Sequence, residues 1–298
     1  MSAMLDSAGM MRRAAPLRQS ALRWLGLLPF GTAVLLFLGL PALSLLWGSF
    51  HTHDGAATVA NYRWVGDPQF LKPFWNSVIL SSATMLTGGI GGLVIAQALV
   101  SSRSGLLHEL GITFSSVAAN FAGVPLAFSF IATAGVNGLV TKFLLDYAGV
   151  DIYGAGYSLY TLVGIVTVYT YFQLPLMVLL ILPSLEAVDP RWEEAAANLG
   201  ASRWTYLRRV AIPILAPAVL SSWLLLFANA FGAYATVYAL TTGFFPVVPI
   251  LISSVISGDV SFDPGQGDAL AMGMAAVMAV CMVGQALLQR RASRWLKR

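Results

Sequence analysis

The stretch Glu194-Ala195-Ala196-Ala197-Asn198-Leu199-Gly200, followed after nine intervening residues by Val210-Ala211-Ile212-Pro213, decides how this chain is read. It is short, carries charge, and lies between two long apolar runs, so it must be a loop that faces water. Its local chemistry predicts a short helix, a turn and a second helix. Asp189 can cap the first helix, Pro190 suits its first position, and Gly200 suits the left-handed position after its end. Ser202 can cap the second helix, which leads through Pro213 back into apolar sequence.

The rest of the chain explains why a polar loop stands out. Of 298 residues, 57% are apolar types and only 10% are charged, against about 25% charged in an ordinary soluble domain. Six apolar runs are long enough to cross a bilayer of about 30 Å. They fall near 25–48, 74–100, 111–134, 157–182, 212–239 and 268–288. Each is expected to be helical, because backbone groups in lipid must pair within their own segment. The first run is too long for a signal-peptide core and reads as a retained anchor. The fold class expected is therefore all-α membrane protein with six transmembrane helices. Residues 1–24 form an N-terminal segment, 25–288 the six-helix domain with a loop at 184–211, and 289–298 a basic tail.

Basic residues give the orientation. With the N-terminus in the cytoplasm, the inside segments hold Arg12, Arg13, Arg18, Arg23, Arg103, Arg191, Arg203, Arg208, Arg209, Arg290, Arg291, Arg294, Lys297 and Arg298, and the outside loops only Arg63, Lys72 and Lys142. A bias of fourteen to three places both termini, and the Glu194–Gly200 loop, on the cytoplasmic side. Trp75, Tyr153, Tyr157, Tyr160 and Phe244 then fall where an outer aromatic belt belongs. No outside loop is long enough for a separate globular domain.

The quoted loop resembles the E-A-A-x3-G-x9-I-x-L-P signature of importer permeases in the ATP-binding cassette (ABC) family. Glu194, Ala195, Ala196, Gly200 and Pro213 match it, and Val210 and Ile212 are apolar replacements. With Pro183-Ser184-Leu185-Glu186 ahead of it, the chain is most similar to permeases of the spermidine/putrescine type, a group with relatives for ferric iron, phosphonates and other small solutes. The resemblance implies a type I ABC importer permease fold whose loop is a coupling helix docked in a cleft of a cytoplasmic ATPase. It further implies two ATPases, which hold the ATP and Mg, a second permease subunit, identical or different, and an extracytoplasmic solute-binding protein, all at a bacterial inner membrane. In that setting Glu194 and Arg203 would offer polar contacts, Ala195, Ala196 and Leu199 a small apolar face, and Gly200 the bend. The cargo expected is a polyamine or a related small charged solute.

The remaining chemistry is mostly excluded. Lys72, Lys142 and Lys297 follow Leu, Thr and Leu, so no P-loop exists, and no catalytic residues, metal site or cofactor are expected in the chain. His51, His53 and His108 lack metal-binding spacing, Cys281 is single, and nothing points to nucleic acid. Gly265-Gln266-Gly267-Asp268 matches the short signature of intramembrane aspartyl proteases, but no second membrane-depth Asp accompanies it, so a loop turn is expected. No ionisable group lies deep in a span, which disfavours the alternative of a stand-alone ion-coupled carrier or channel. Asn120, Gln173 and Asn229, with Tyr234, are the candidates to line a pathway, with hydrogen bonding between helices as the plainer role for the amides. Gly88 and Gly92 permit close helix approach, within the chain or with a second subunit. Pro125, Pro175 and Pro217 are expected to kink their spans.

Overall fold

The computed structural model describes residues 28–52, 54–258 and 264–296, with only the backbone of 64, 65, 264 and 291–296. Expectations placed on residues 1–24, on His53 and on Lys297 and Arg298 lie outside the described residues, as do those on the side chains of Arg291 and Arg294. The described residues are almost entirely helical. Helix α1 spans Leu28–Ser49, and α2 spans Pro68–Ser101, opened by Asp67, whose carboxylate accepts from the Gln69 N–H at 2.9 Å. Then come α3 (Gly105–Asn120), α4 (Val124–Ala134), α5 (Leu139–Ala148), α6 (Leu162–Glu186) and α7 (Arg191–Asn198). Helix α8 covers Arg203–Gly232, followed by α9 (Ala235–Thr241), α10 (Val248–Ile256) and α11 (Pro264–Leu296).

Six segments are long and apolar enough to cross a membrane. The first, second, fourth and sixth follow the expected runs closely, and the fifth, Arg203–Gly232 against the expected 212–239, starts and ends earlier. The third differs. The expected span 111–134 is two helices, α3 and α4, interrupted at 121–123, and the qualifying segment is Val124–Ala148, which joins α4 and α5. Pro125 supplies a reason: in an unbroken helix its ring would collide with the carbonyl four residues back, that of Phe121. The expected fifth span breaks likewise after Gly232, with Ala233 extended and Tyr234 opening α9. Pro175 and Pro217, in contrast, sit inside continuous helices. The helix α11 also runs on through the basic residues expected as a tail, as far as Leu296.

Backbone groups freed at the two breaks find partners, as they must away from water. The Gly123 N–H donates to Thr236 Oγ1 at 2.9 Å, and the Tyr169 hydroxyl donates to the Ala233 carbonyl at 2.9 Å. The first bond sets the two breaks side by side.

The described residues divide into two compact units, one within 28–62 and 264–272, the other within 63–258 and 273–296. In the first, Asn61 is buried and its amide donates to the carbonyls of Gly48, Ser49 and His51 at 3.4, 3.2 and 3.0 Å. The Tyr62 hydroxyl bonds Ser49 Oγ at 2.9 Å. None of the most apolar stretch of α1 is buried within the chain.

In the second unit α6 is the central element, and 56% of its apolar window is buried, the largest share of any span. Tyr169, Phe172, Met177 and Ile181 project from it into two apolar clusters shared with α2, α8 and α9. The glycines of α2 make this possible. A Cβ at Gly88 would collide with Gln173, and one at Gly92 with Met177, both on α6. The close approach that Gly88 and Gly92 permit is therefore spent within the chain.

Candidate functional site

Helix α7 is built as its sequence demands. The Asp189 carboxylate accepts from the Arg191 N–H at 2.9 Å, and Glu193 and Glu194 occupy the first turn, where negative charge suits the helix dipole. At the other end Gly200 has φ of 79°. Its N–H bonds the Ala197 carbonyl at 2.9 Å, and the Ala201 N–H bonds the Ala196 carbonyl at 3.0 Å. That pair of bonds is the Schellman closure, for which glycine is the favoured residue. Ser202 then caps α8, accepting from the Thr205 N–H at 3.2 Å. A π-turn at Leu207–Ala211 follows. It lies just ahead of Pro213, which cannot donate to the helical ladder.

No residue of α7 is buried. Among the described residues Glu194 makes no ion pair; its neighbour Glu193 pairs instead with Arg203, Oε1 to Nε 3.5 Å, on side chains 49% and 84% exposed. So exposed a pair contributes about 0–1 kcal/mol. Ala195 is exposed and Ala196 half-buried, and Leu199 is 88% exposed. Trp204 is 66% exposed. Reading the sequence passed over Trp204, although a tryptophan two residues past a cap in a charged loop is itself a signal. Of the expected coupling residues, Glu194, Ala195, Leu199, Gly200 and Arg203 are exposed on α7, the turn after it and the start of α8, as is Trp204, whereas Pro213 lies farther along α8, beyond the π-turn.

The four expected pathway residues do not form one group. Asn120 closes α3 just before the first break and is exposed, its amide donating to the Ser116 carbonyl of its own helix at 2.8 Å. Asn229 is exposed one turn ahead of the second break. Tyr234 stacks on Tyr238 with centroids 5.1 Å apart, and its hydroxyl accepts from Ser253 Oγ at 3.2 Å. These three therefore flank the paired breaks. Gln173 stands apart, fully buried, donating from Nε2 to the Leu226 carbonyl of α8 at 2.8 Å, with Oε1 unpartnered. Beside the breaks lies a cavity of about 750 Å³, lined by Phe128, Tyr160, Tyr238, Thr241 and Phe244 among others, with no charged side chain in its wall.

Residues 88–298 match the family model of the binding-protein-dependent transport system inner membrane component. The chain belongs to this family. The family is one of inner-membrane components, in keeping with the six segments among the described residues that are long and apolar enough to cross a membrane. The chain is 31% identical over 220 residues to a probable ABC transporter permease protein, y4fN, of Sinorhizobium fredii, covering 71% of this chain and 37% of that one. It is 30% identical over 176 residues to the sulfate transport system permease CysT of Salmonella typhimurium, covering 58% and 60%. The chain thus spans less than two thirds of the length of these two relatives. The spermidine/putrescine permease PotB of Haemophilus influenzae is 26% identical over 260 residues, covering 83% and 87%. In fold, the chain superposes on a chain of a bacterial ABC transporter involved in the import of the acidic polysaccharide alginate, with TM-score 0.68, 17% identity and 95% and 99% coverage.

Proposed function

We propose that this permease is one of the membrane subunits of an ATP-driven importer, with α7 as the coupling helix that docks into a cytoplasmic ATPase. The observation that carries this reading is the exposure of Leu199 and Trp204 on either side of the turn at Gly200. Apolar side chains held on a rigid turn, exposed to water and rimmed by charge, are the makings of an anchor for a partner's cleft. The links 187–190 and 199–202 are short, so displacement of α7 is passed to α6 and α8.

The other parts follow from this placement. The excess of Lys and Arg puts the α7 end in the cytoplasm, where a pair of ATPases binds ATP and Mg. A second permease subunit completes the pathway, whose wall here is the region of Asn120, Asn229 and Tyr234 beside the broken helices, with Gln173 deeper in the packing. An extracytoplasmic binding protein delivers the solute at the opposite end. ATP-driven closure of the ATPases and subsequent hydrolysis alternate the opening of the pathway. The cargo is a small charged solute, polyamine first: the likeness to PotB extends over 83% of this chain and 87% of that one, and a probable sulfate permease of the CysT type, covered at 77% and 75%, makes sulfate the second reading. The uncharged cavity wall suits a permease that passes what its binding protein selects.

Reconstitution with the neighbouring ATPase, second permease and binding protein tests this. Uptake of labelled putrescine should require ATP and the binding protein. Uptake of sulfate, molybdate, ferric iron or phosphonate in its place would reassign the cargo alone. Flux through the chain by itself, without ATP, would overturn the importer reading in favour of a stand-alone carrier.

A further inference from the structure

His108 sits in the first turns of α3 and ties three helices together at the end of the larger unit that carries α7. Its Nε2 lies 3.1 Å from Glu186 Oε1, on the last residue of α6. Its Nδ1 lies 3.3 Å from the carbonyl oxygen of Leu99, in the last turn of α2. Glu186 precedes α7 by a single turn, closed by the Ala187 N–H on Pro183 and the Val188 N–H on Leu185. The imidazole is thus the polar contact that joins the base of the coupling helix to α2 and α3.

The chemistry of the two partners is informative. A carbonyl and an ionised carboxylate are both acceptors only, whereas a neutral imidazole has one N–H and one lone pair. Both contacts are satisfied only when the pair carries an additional proton, either as imidazolium with carboxylate or as neutral ring with carboxylic acid. Among the described residues Glu186 is the acid within ion-pair distance of His108.

We propose that His108 is a positioning residue for coupling: through Glu186 and the Leu99 carbonyl it clamps the end of α6, one turn ahead of α7, to α2 and α3. This rests on the importer reading above. Movement of α7 then reaches α2 and α3 through the clamp as well as through the continuous backbone to α6 and α8.

The experiment uses the assembled transporter in nanodiscs and reads binding-protein-stimulated over basal ATP hydrolysis. His108→Gln should lower that ratio by roughly two- to fivefold, in keeping with a half-exposed pair. His108→Lys, a fixed cation with donors, should keep most of it, a rescue that a merely structural role does not give. Glu186→Gln, a milder change, carries the same test where a His108 variant fails to assemble, and combined with His108→Gln it should add nothing further. An unchanged ratio in His108→Gln, no rescue by Lys, or additive losses in the double variant overturns the inference. Absence of any stimulation in the wild type would instead strike at the importer reading, so the two failures are told apart.

Discussion

Gly200 and Asn61 illustrate how one residue can set a local structure for different reasons. At Gly200 there is open space, since nothing lies within 4 Å of where a Cβ would stand. Its requirement is wholly conformational, with φ at 79°, and an L-residue there costs about 1–2 kcal/mol. Gly200→Val should therefore uncouple ATP hydrolysis from transport while the chain still inserts, and Gly200→Asn, which tolerates the left-handed region, should keep most of the coupling. Equal loss in both variants, measured as solute moved per ATP, would show that sterics and not φ is the constraint. Glu194 makes no ion pair among the described residues, so Glu194→Lys should weaken ATPase binding without altering solute preference. A changed preference with intact ATPase binding would count against it as a coupling residue. Asn61 is held by partners instead of backbone geometry. Asn61→Ala strips donors from three carbonyls and should lower stability by about 1–3 kcal/mol, read as a lower melting temperature of the purified chain.

At the scale of elements, the packing of α2 on α6 rests on missing side chains. Gly88 and Gly92 lie where any Cβ would overlap α6, and overpacking of this kind typically costs about 1–3 kcal/mol. Gly88→Ala and Gly92→Ala should each lower the melting temperature. Gly105→Ala, at the start of α3 where nothing lies within 4 Å, should not. If all three behaved alike, the close approach of α2 and α6 would not be the source of the effect. The breaks at 121–123 and 233–234 belong to the same scale. Thr236 and Tyr169 each supply a side-chain group to the freed backbone, which is how irregular chain can persist within apolar segments.

For the molecule as a whole, the orientation and the pathway can be tested together. With Cys281→Ala as background, a cysteine at Asn198 in α7 should react with an impermeant thiol reagent only from the cytoplasmic side, and one at Phe244 only from outside. Labelling in the reverse sense would invert the orientation drawn from Lys and Arg. Cysteines at Asn120 and Asn229, both exposed in the chain, should label in at least one state of the ATP cycle. One at Gln173, fully buried with its amide on Leu226, should stay unlabelled in every state. Labelling at 173 would mean that the α2, α6 and α8 packing opens during transport.

Much of this was legible in the residues alone. Six apolar runs, the basic bias and the punctuation Asp189, Gly200 and Ser202 specify six spans and one polar helix–turn–helix, because hydrophobic length, charge and capping are local properties. The cap bonds at Asp189 and Ser202 and the positive φ at Gly200 stand where local rules put them. What only the tertiary structure decided concerns contacts between distant residues. Pro125 announced an irregularity, but whether it bent or broke the span depended on Thr236, more than a hundred residues on, to receive the Gly123 N–H. Gly88 and Gly92 could have faced a second subunit, and only the position of Gln173 and Met177 on α6 places that surface inside the chain. His108 read as an isolated loop histidine because its partners, Leu99 and Glu186, come from two other helices. Helix ends are brought together by packing, and packing is not a property of any short stretch of sequence.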